Sequence, residues 1–474
     1  MARRKIPLSP PLSKGEAAIT ARSYLRIEVS EHTQSRHNGT AVRFCIVSTF
    51  YPPFNFGGDG IYAHRLANSL ARRGHDVTVL HSPSAYEMLA GHRPTEPYTD
   101  HPAVKVHGVR APLGKLGLLA VQQTGHPVLQ AARLRKWLDE GTYDVIHYNN
   151  VSLLGGPAAF RSGRGLKLCT LIDHWLVCPM HVLWRFDREV CTKPTCIRCT
   201  VAGGRPPQLW RYTGLVQRAT RHIDAFLGPS VFTIRMHQER GLRGTMIQLP
   251  LFHPEPVAAP ADPALDNGRP YFLFTGRLEK IKGVQVIIPV FRRLSEVDLL
   301  IAGTGNFEGQ LRSLAAGAAN IKFLGRVAPR GLQALYRQAL GTLVPSLSYE
   351  TFGLIVAESF SASTPVIAHA QSSLAEILRV HGGGLAYRTA EELRAAIEAL
   401  RADPSLRARL GCEGRAAYET EFAEPAFVNH YLAVVRELLA RKQAGDPLRP
   451  PSVSVSQSVL AGRPVFFARG SVRR

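Results

Sequence analysis

Short apolar runs that stop at polar or glycine-rich positions alternate along this chain with stretches whose apolar residues recur at helical spacing. The run VRFCIVSTFYPP is β-rich and ends at Pro52 and Pro53, which predicts a strand. In the following FNFGGDGIYAHRLANSLARRGHDVTVLH, Gly57, Gly58 and Gly60 form a loop, and Ile61, His64, Leu66 and Leu70 carry a loosely helical pattern. Gly74 ends that helix and DVTVLH is the next strand. Strand, glycine loop, helix and strand together are the βαβ grammar of a parallel sheet. YDVIHYNN, LKLCTLID and IDAFLGPS read as further strands ending in polar residues, the last followed by a helical VFTIRMHQERG.

Proline thickens across residues 251–270, which predicts a linker, and a second series follows. PYFLFTGR, VDLLIAGTG, NIKFLG, GTLVPS and TPVIAHA are its strands, with GVQVIIPVFRRLSE and PRGLQALYRQAL among the helices between them. The expected organisation is an α/β chain: an N-terminal Rossmann-like domain over 42–250, a C-terminal one over 271–423, and a final helix over 424–442. Residues 1–41 mix proline, serine and charge without a sustained period. They read as a disordered tail, or as translation from a start codon set too far upstream; residues 443–474 read as a disordered basic tail. Ligands of open parallel sheets bind beyond the carboxyl ends of the strands, and two such sheets facing each other enclose a cleft.

Composition narrows the partners. The 474 residues carry 58 Lys and Arg against 36 Asp and Glu, a formal net charge of +22 that favours anions such as nucleotides, anionic membrane faces or acidic glycans. No stretch approaches the eighteen or so continuous apolar residues of a membrane span, and the N-terminus lacks the apolar core of a secretory signal. A cytoplasmic protein is expected, able to visit the inner face of a membrane through charge. The basic residues are scattered and no nucleic-acid motif is present, so nucleic acid is not an expected partner.

Three segments carry candidate chemistry. In TGRLEKIKGV, Gly276, Arg277 and Lys282 follow a strand and precede a helix, an arrangement suited to a diphosphate; a surface turn with solvated charges is the plainer alternative. In LLIAGTGNFEGQL, Gly303 and Gly305 suit either ligand contact or a tight turn. In PSLSYETFGLIVAES, Glu350 stands before a helix whose first amides, near Phe352, Gly353 and Leu354, are unpaired and favour an anion. Glu358 lies deeper on that helix. Two turns of helix rise about 12 Å, too far for an acid/base pair acting on one bond. The spacing suits two grips on one long ligand, Glu350 on a sugar hydroxyl and Glu358 on ribose hydroxyls, with the cations on phosphates between them. Alone, the two acids would pass for ordinary helix-end residues.

They do not stand alone. GGDGIYAHRLANSLARRGHDVTV, GRLEKIKG, IAGTG, FLGRV, PSLSYETFGLIVAES and PVIAHAQSSLAEIL occur in the order of the retaining glycosyltransferases of the GT-B fold, glycosyltransferase family 4, which the chain resembles over about residues 42–440. The resemblance implies two Rossmann-like domains facing across a cleft and transfer of a sugar from a nucleotide-sugar to an acceptor hydroxyl with retention. It implies no catalytic metal, because protein cations take its place. Glu350 and Glu358 match the family's E-x7-E motif, Arg277 and Lys282 its basic pair, and Gly57 and Gly58 its N-domain glycine loop. The acceptor side is expected to take a saccharide or a lipid-linked acceptor, in surface polysaccharide or glycolipid assembly. A sugar-nucleotide epimerase or a phosphorylase on the same scaffold, and a basic zinc-knuckle nucleic-acid binder, are the alternatives.

One site departs from the family. In TLIDHWLVCP, Ile172 occupies the position of the family's usual histidine, followed by Asp173 and His174. Either His174 or Asp173 fills the role from a shifted position, or the histidine is lost. Just beyond, Cys178, Cys191, Cys196 and Cys199 are spaced C-x12-C-x4-C-x2-C. Four thiolates so close can surround a structural Zn²⁺; free or redox-active thiols and disulfides are the other readings. Trp175, Trp184 and Trp210 flank the cluster, to stack on sugar rings or to pack.

Overall fold

The computed structural model describes residues 41–94, 97–256 and 268–446. The expected tails and most of the proline-rich linker therefore fall outside the described residues. The first sheet contains strands β1 (Arg43–Ser48), β2 (Asp76–His81), β3 (Val104–Gly108), β4 (Val145–Asn150) and β5 (Leu166–Thr170). A two-residue hairpin, β6 (Trp184–Arg185) and β7 (Glu189–Val190), interrupts the series before β8 (Ala225–Gly228) and β9 (Met246–Gln248). The seven strands order as β3-β2-β1-β4-β5-β8-β9, all parallel. In β1, Phe44 to Val47 are wholly buried, as a strand covered by helices on both faces must be.

The second sheet orders as β12-β11-β10-β13-β14-β15, also all parallel. Its strands are β10 (Tyr271–Thr275), β11 (Asp298–Ala302), β12 (Ile321–Gly325), β13 (Gly341–Val344), β14 (Val366–His369) and β15 (Gly384–Tyr387). Each sheet reverses its winding beside its first strand, at β1/β4 and at β10/β13. The loops leaving these strands diverge there and open a crevice at the strand ends.

The last helix, Glu424–Ala444, returns to the first domain. Phe427, Val428, Tyr431, Val434, Val435 and Leu438 enter an apolar cluster shared with Phe44, Tyr62 and Leu66 of the first sheet layer and Phe352, Val356 and Phe360 of the second domain. Each such burial is worth roughly 1.5–3 kcal/mol. The partly exposed ion pairs Arg72–Glu424 and Lys442–Asp224, both 2.6 Å, fall in a class worth about 0.2–1 kcal/mol each. Apolar packing, not charge, therefore holds the helix across the domains. Buried Tyr431 adds orientation, its hydroxyl 2.8 Å from His147 Nδ1.

Candidate active site

The C-terminal wall is built where β10, β11 and β13 end. Gly303, at φ +144°, lies so close to the Gly276 carbonyl that a Cβ there has no room, and a Cβ on Gly305 would strike the Leu278 backbone. These glycines close a tight turn at the strand ends, which leaves ligand contact there open to the same backbone. Their packing brings Arg277 to the crevice rim with its side chain 56% exposed; Nη1 is 2.5 Å from Glu279 Oε1. Lys282, in the same turn, donates to Glu350 Oε1 at 2.7 Å, and Ser346 Oγ donates to the same oxygen at 2.7 Å. Burial pushes the Glu350 carboxyl up, but Lys282, Ser346 and Arg277 outweigh it and hold the group below its ordinary range.

After Glu350 the chain turns at Gly353, φ +87°, and enters the helix Leu354–Ser361. The amides of Phe352, Gly353 and Leu354 have no hydrogen-bond acceptor among the described residues. The helix starts later than the spacing argument assumed, so Glu358 sits little more than one turn inside it. Its Oε2 accepts from Tyr336 at 2.9 Å, and Tyr336 in turn lies 2.6 Å from Thr275 Oγ1 at the end of β10. Burial raises the Glu358 carboxyl in spite of the opposing charge of Arg65 from the other domain.

The N-terminal wall faces this one so closely that a side chain on either loop glycine would touch it. A Cβ on Gly57 would lie 3.9 Å from Arg277 Nε, and one on Gly58 3.3 Å from Leu354 Cδ1. Asn55 shapes the loop by bonding both the amide and the carbonyl of Gly57. Asp59 follows, in the first turn of the helix Gly58–Arg72, and burial pushes its carboxyl up to about 6. Direct bonds staple the walls together: Thr351 Oγ1 donates to the Ile172 carbonyl at 3.0 Å, Ser230 and Thr233 donate to the Thr351 carbonyl at 2.9 Å, and the Glu376 carboxylate accepts from the amides of Val231 and Phe232.

Beyond β5, Asp173 is fixed by three donors: Trp175 N at 2.8 Å, Asn150 Nδ2 at 3.0 Å and His181 Nδ1 at 2.9 Å. Burial raises its carboxyl, but His181 and these bonds reverse the effect and leave it lowered. His174 is placed otherwise than the shifted-histidine reading expects. It is buried and stacked on His237 at 5.3 Å between ring centroids, and burial pushes it down to about 3. A two-residue shift along the chain turns that side chain into the loop's interior.

The fold thus brings Gly57, Gly58, Gly276, Arg277, Lys282, Glu350, Gly353, Leu354, Glu358 and Asp173 around one crevice. It does not bring the ring of Phe352 there: that ring packs against Phe422 at 5.3 Å, leaving only the backbone at the site. Asp59, Asn150, His181, Tyr336 and Glu376 were absent from the sequence reading. Asp59 stands beside the glycines already singled out and was legible from its place in the first turn; the others depend on distant chain segments.

Cys178, Cys191, Cys196 and Cys199 line one small cavity with Met180 and Trp184, and none is in a disulfide. Among the described residues, no group of three or more His, Cys, Asp or Glu side chains is disposed to hold a metal ion. Burial raises the thiols of Cys178 and Cys196 and pushes that of Cys191 up to about 11. Trp175 and Trp210 are packed under the Arg211 guanidinium, the structural alternative for these rings.

Two family profiles match the chain: the one described as a glycosyl transferase 4-like domain over residues 57–250, and glycosyl transferases group 1 over 258–417. The D-inositol 3-phosphate glycosyltransferase of Pseudarthrobacter chlorophenolicus is 27% identical over 378 residues, 75% of this chain and 84% of that one. The phosphatidyl-myo-inositol mannosyltransferase of Mycobacterium leprae is 26% identical over 339 residues, 69% and 79% of the two chains. Among solved structures, sucrose-phosphate synthase of Thermosynechococcus elongatus aligns with a TM-score of 0.65 at 20% identity, covering 84% of this chain and 99% of its own. Anabaena HepE, solved with UDP and glucose, aligns at 0.58 and 18% identity, covering 85% and 99%. These structural likenesses concern the fold.

Proposed function

Because the chain belongs to the glycosyltransferases of the GT-B fold, we propose that it moves a sugar from a nucleotide-sugar to an acceptor hydroxyl with retention at the anomeric carbon. The observation that carries the reading is the convergence of Arg277, Lys282 and the three open amides at 352–354 opposite the Gly57–Gly58 loop. A departing nucleoside diphosphate gains negative charge in the transition state. Fixed cations and a helix N-terminus stabilise that charge where it develops, without reorganising. The acceptor hydroxyl approaches on the leaving-group side, a leaving-group oxygen takes its proton, and protein cations do the work otherwise given to a divalent metal. Closure of the crevice on the donor would exclude water and limit its hydrolysis. Glu350 orients Lys282 and the transferred sugar, while Glu358 grips the ribose.

The acceptor is read as anionic or lipid-linked and held by the N-terminal domain, with the protein resting on an anionic membrane face. Leu113, Leu116 and Leu119, on and just before the helix Lys115–Thr124, are exposed, as are Val128, Leu129, Leu209 and Tyr212 in the segments that pack beside it. Arg133, Arg135 and Lys136 on the neighbouring helix Ala131–Leu138 supply the charge. Relatives named for inositol phosphate and phosphatidyl-myo-inositol point the same way. The four thiols share one cavity without being disposed around a single point, so the structural Zn²⁺ site proposed here requires them to draw in on the metal as it binds. Metal analysis of purified protein tests this: about one equivalent per chain is expected, and its absence removes the site.

A thermal-shift panel of UDP-, GDP- and ADP-sugars tests the main reading. One donor class stabilises the wild type, and Arg277→Ala and Glu358→Ala lose the response. No response to any nucleotide-sugar overturns the reading; an epimerised sugar from donor alone points to the epimerase.

A further inference from the structure

Position 172 holds isoleucine, whose side chain can neither donate nor accept a hydrogen bond, and His174 is buried against His237. Yet the crevice contains an imidazole. His181 comes from the stretch between the first two cysteines, eight residues beyond Asp173, and its Nδ1 lies 2.9 Å from Asp173 Oδ2. Asp173 is itself oriented by Asn150 at the end of β4 and by the Trp175 amide, so the carboxylate is aimed before the histidine arrives.

The backbone holds this arrangement. His174 N donates to the His181 carbonyl and His181 N to the Cys178 carbonyl, both at 3.0 Å, while Cys178 N donates to the His174 carbonyl at 2.7 Å. Within this closed loop His181 has φ +69°, a left-handed conformation that non-glycine residues adopt at a cost. Such a conformation persists where surrounding bonds over-determine it, and here it turns the ring out of the loop to Asp173. The side chain remains 27% exposed, and Nε2 bonds to nothing among the described residues. The carbonyl of Ile172, next to Asp173, accepts from Thr351 of the facing wall, so the Asp173–His181 pair stands beside the junction of the two domains.

We propose that His181, positioned by Asp173, is the N-terminal domain's contact to the transferred sugar, standing in from the cysteine loop for a histidine the strand end lacks. The inference rests on the transferase reading. With Nδ1 engaged by Asp173, the ring presents Nε2 to a sugar hydroxyl. No proton changes hands in this role: the contact orients the sugar against the diphosphate. The cysteine loop thereby acquires a function, because it fixes the backbone from which His181 projects.

The test compares His181→Ala, His181→Gln and His181→Asn with the wild type, using UDP, GDP and ADP and their glucose or mannose conjugates. Calorimetry gives affinities, and chromatography gives the slow release of nucleoside diphosphate from the donor. His181→Ala should keep the affinity for the free nucleoside diphosphate within about twofold. It should weaken the nucleotide-sugar, and slow its cleavage, about 3- to 10-fold, the weight of one hydrogen bond. His181→Gln, whose amide reaches the place of Nε2, should recover most of that loss. His181→Asn, which can replace only the bond to Asp173, should not. Equal sugar affinity and cleavage in His181→Ala and wild type overturns the inference while leaving the transferase reading intact. Rescue by Asn but not Gln also overturns it, since His181 would then act only on Asp173. A wild type that binds no nucleotide-sugar removes both.

Discussion

Glu350 and Asp59 are carboxylates on facing walls of one crevice, and their surroundings drive them in opposite directions. Lys282 and Ser346 hold Glu350 below its ordinary range. Its contribution to stability is therefore present above about pH 4.5 and is lost as pH falls through the lowered folded value. Glu350→Gln should lower Tm near neutrality, with the gap to wild type closing as pH falls below about 4.5, as scanning calorimetry across pH would record. Asp59 has the reverse sign. Its folded value is raised from 3.8 to about 6, so ionisation in that window binds protons more weakly in the unfolded chain and stability falls as pH rises through it. Asp59→Asn should raise Tm at pH 7 by on the order of a few degrees and do nothing at pH 3.5. Arg277 is mostly exposed and spends its charge on the rim, so Arg277→Ala should abolish nucleotide-sugar binding while leaving Tm almost unchanged. A large Tm loss would mean that the residue holds structure instead.

At the scale of elements, the turn into the helix Leu354–Ser361 is the most demanding. Gly353 has φ +87°, and a Cβ there would lie 2.6 Å from Leu374 Cδ2. Gly353→Ala combines backbone strain with a clash and should cost about 1–3 kcal/mol by chemical denaturation, together with donor affinity as the open amides shift. The helix Lys115–Thr124 makes the contrary prediction. Leu116 and Leu119 are 67% and 46% exposed, so Leu116→Asp with Leu119→Asp should leave stability within about 0.5 kcal/mol. The pair should nevertheless abolish flotation with vesicles containing anionic lipid. Flotation equal to the wild type would remove the membrane proposal without touching the donor site.

For the whole molecule, the helix Glu424–Ala444 decides whether two sheets behave as one body. Its apolar face completes a cluster drawn from both domains, so a chain ending at residue 423 exposes that cluster and should aggregate or unfold cooperatively. A finer probe is Tyr431→Phe, which removes the buried partner of His147 Nδ1 and should cost about 1 kcal/mol. No helix among the described residues is long and apolar enough to cross a membrane.

The βαβ alternation, the glycine turns, and the Arg277, Lys282, Glu350 and Glu358 constellation were legible in the sequence because each rests on local chemistry. Strand and helix periods, positive-φ glycines and acids beside a helix start are set within a few residues, so a linear reading captures them. His181 on Asp173, Arg65 facing Glu358, Glu376 capping the amides of Val231 and Phe232, and Phe352 turned into the core were decided only by the tertiary structure. Each needs segments that meet after the chain has closed a loop or crossed a domain boundary, and burial then sets both the direction of the side chain and the charge it can hold. The histidine illustrates the division: sequence position pointed to His174, while loop closure buried that ring and brought forward the one seven residues later.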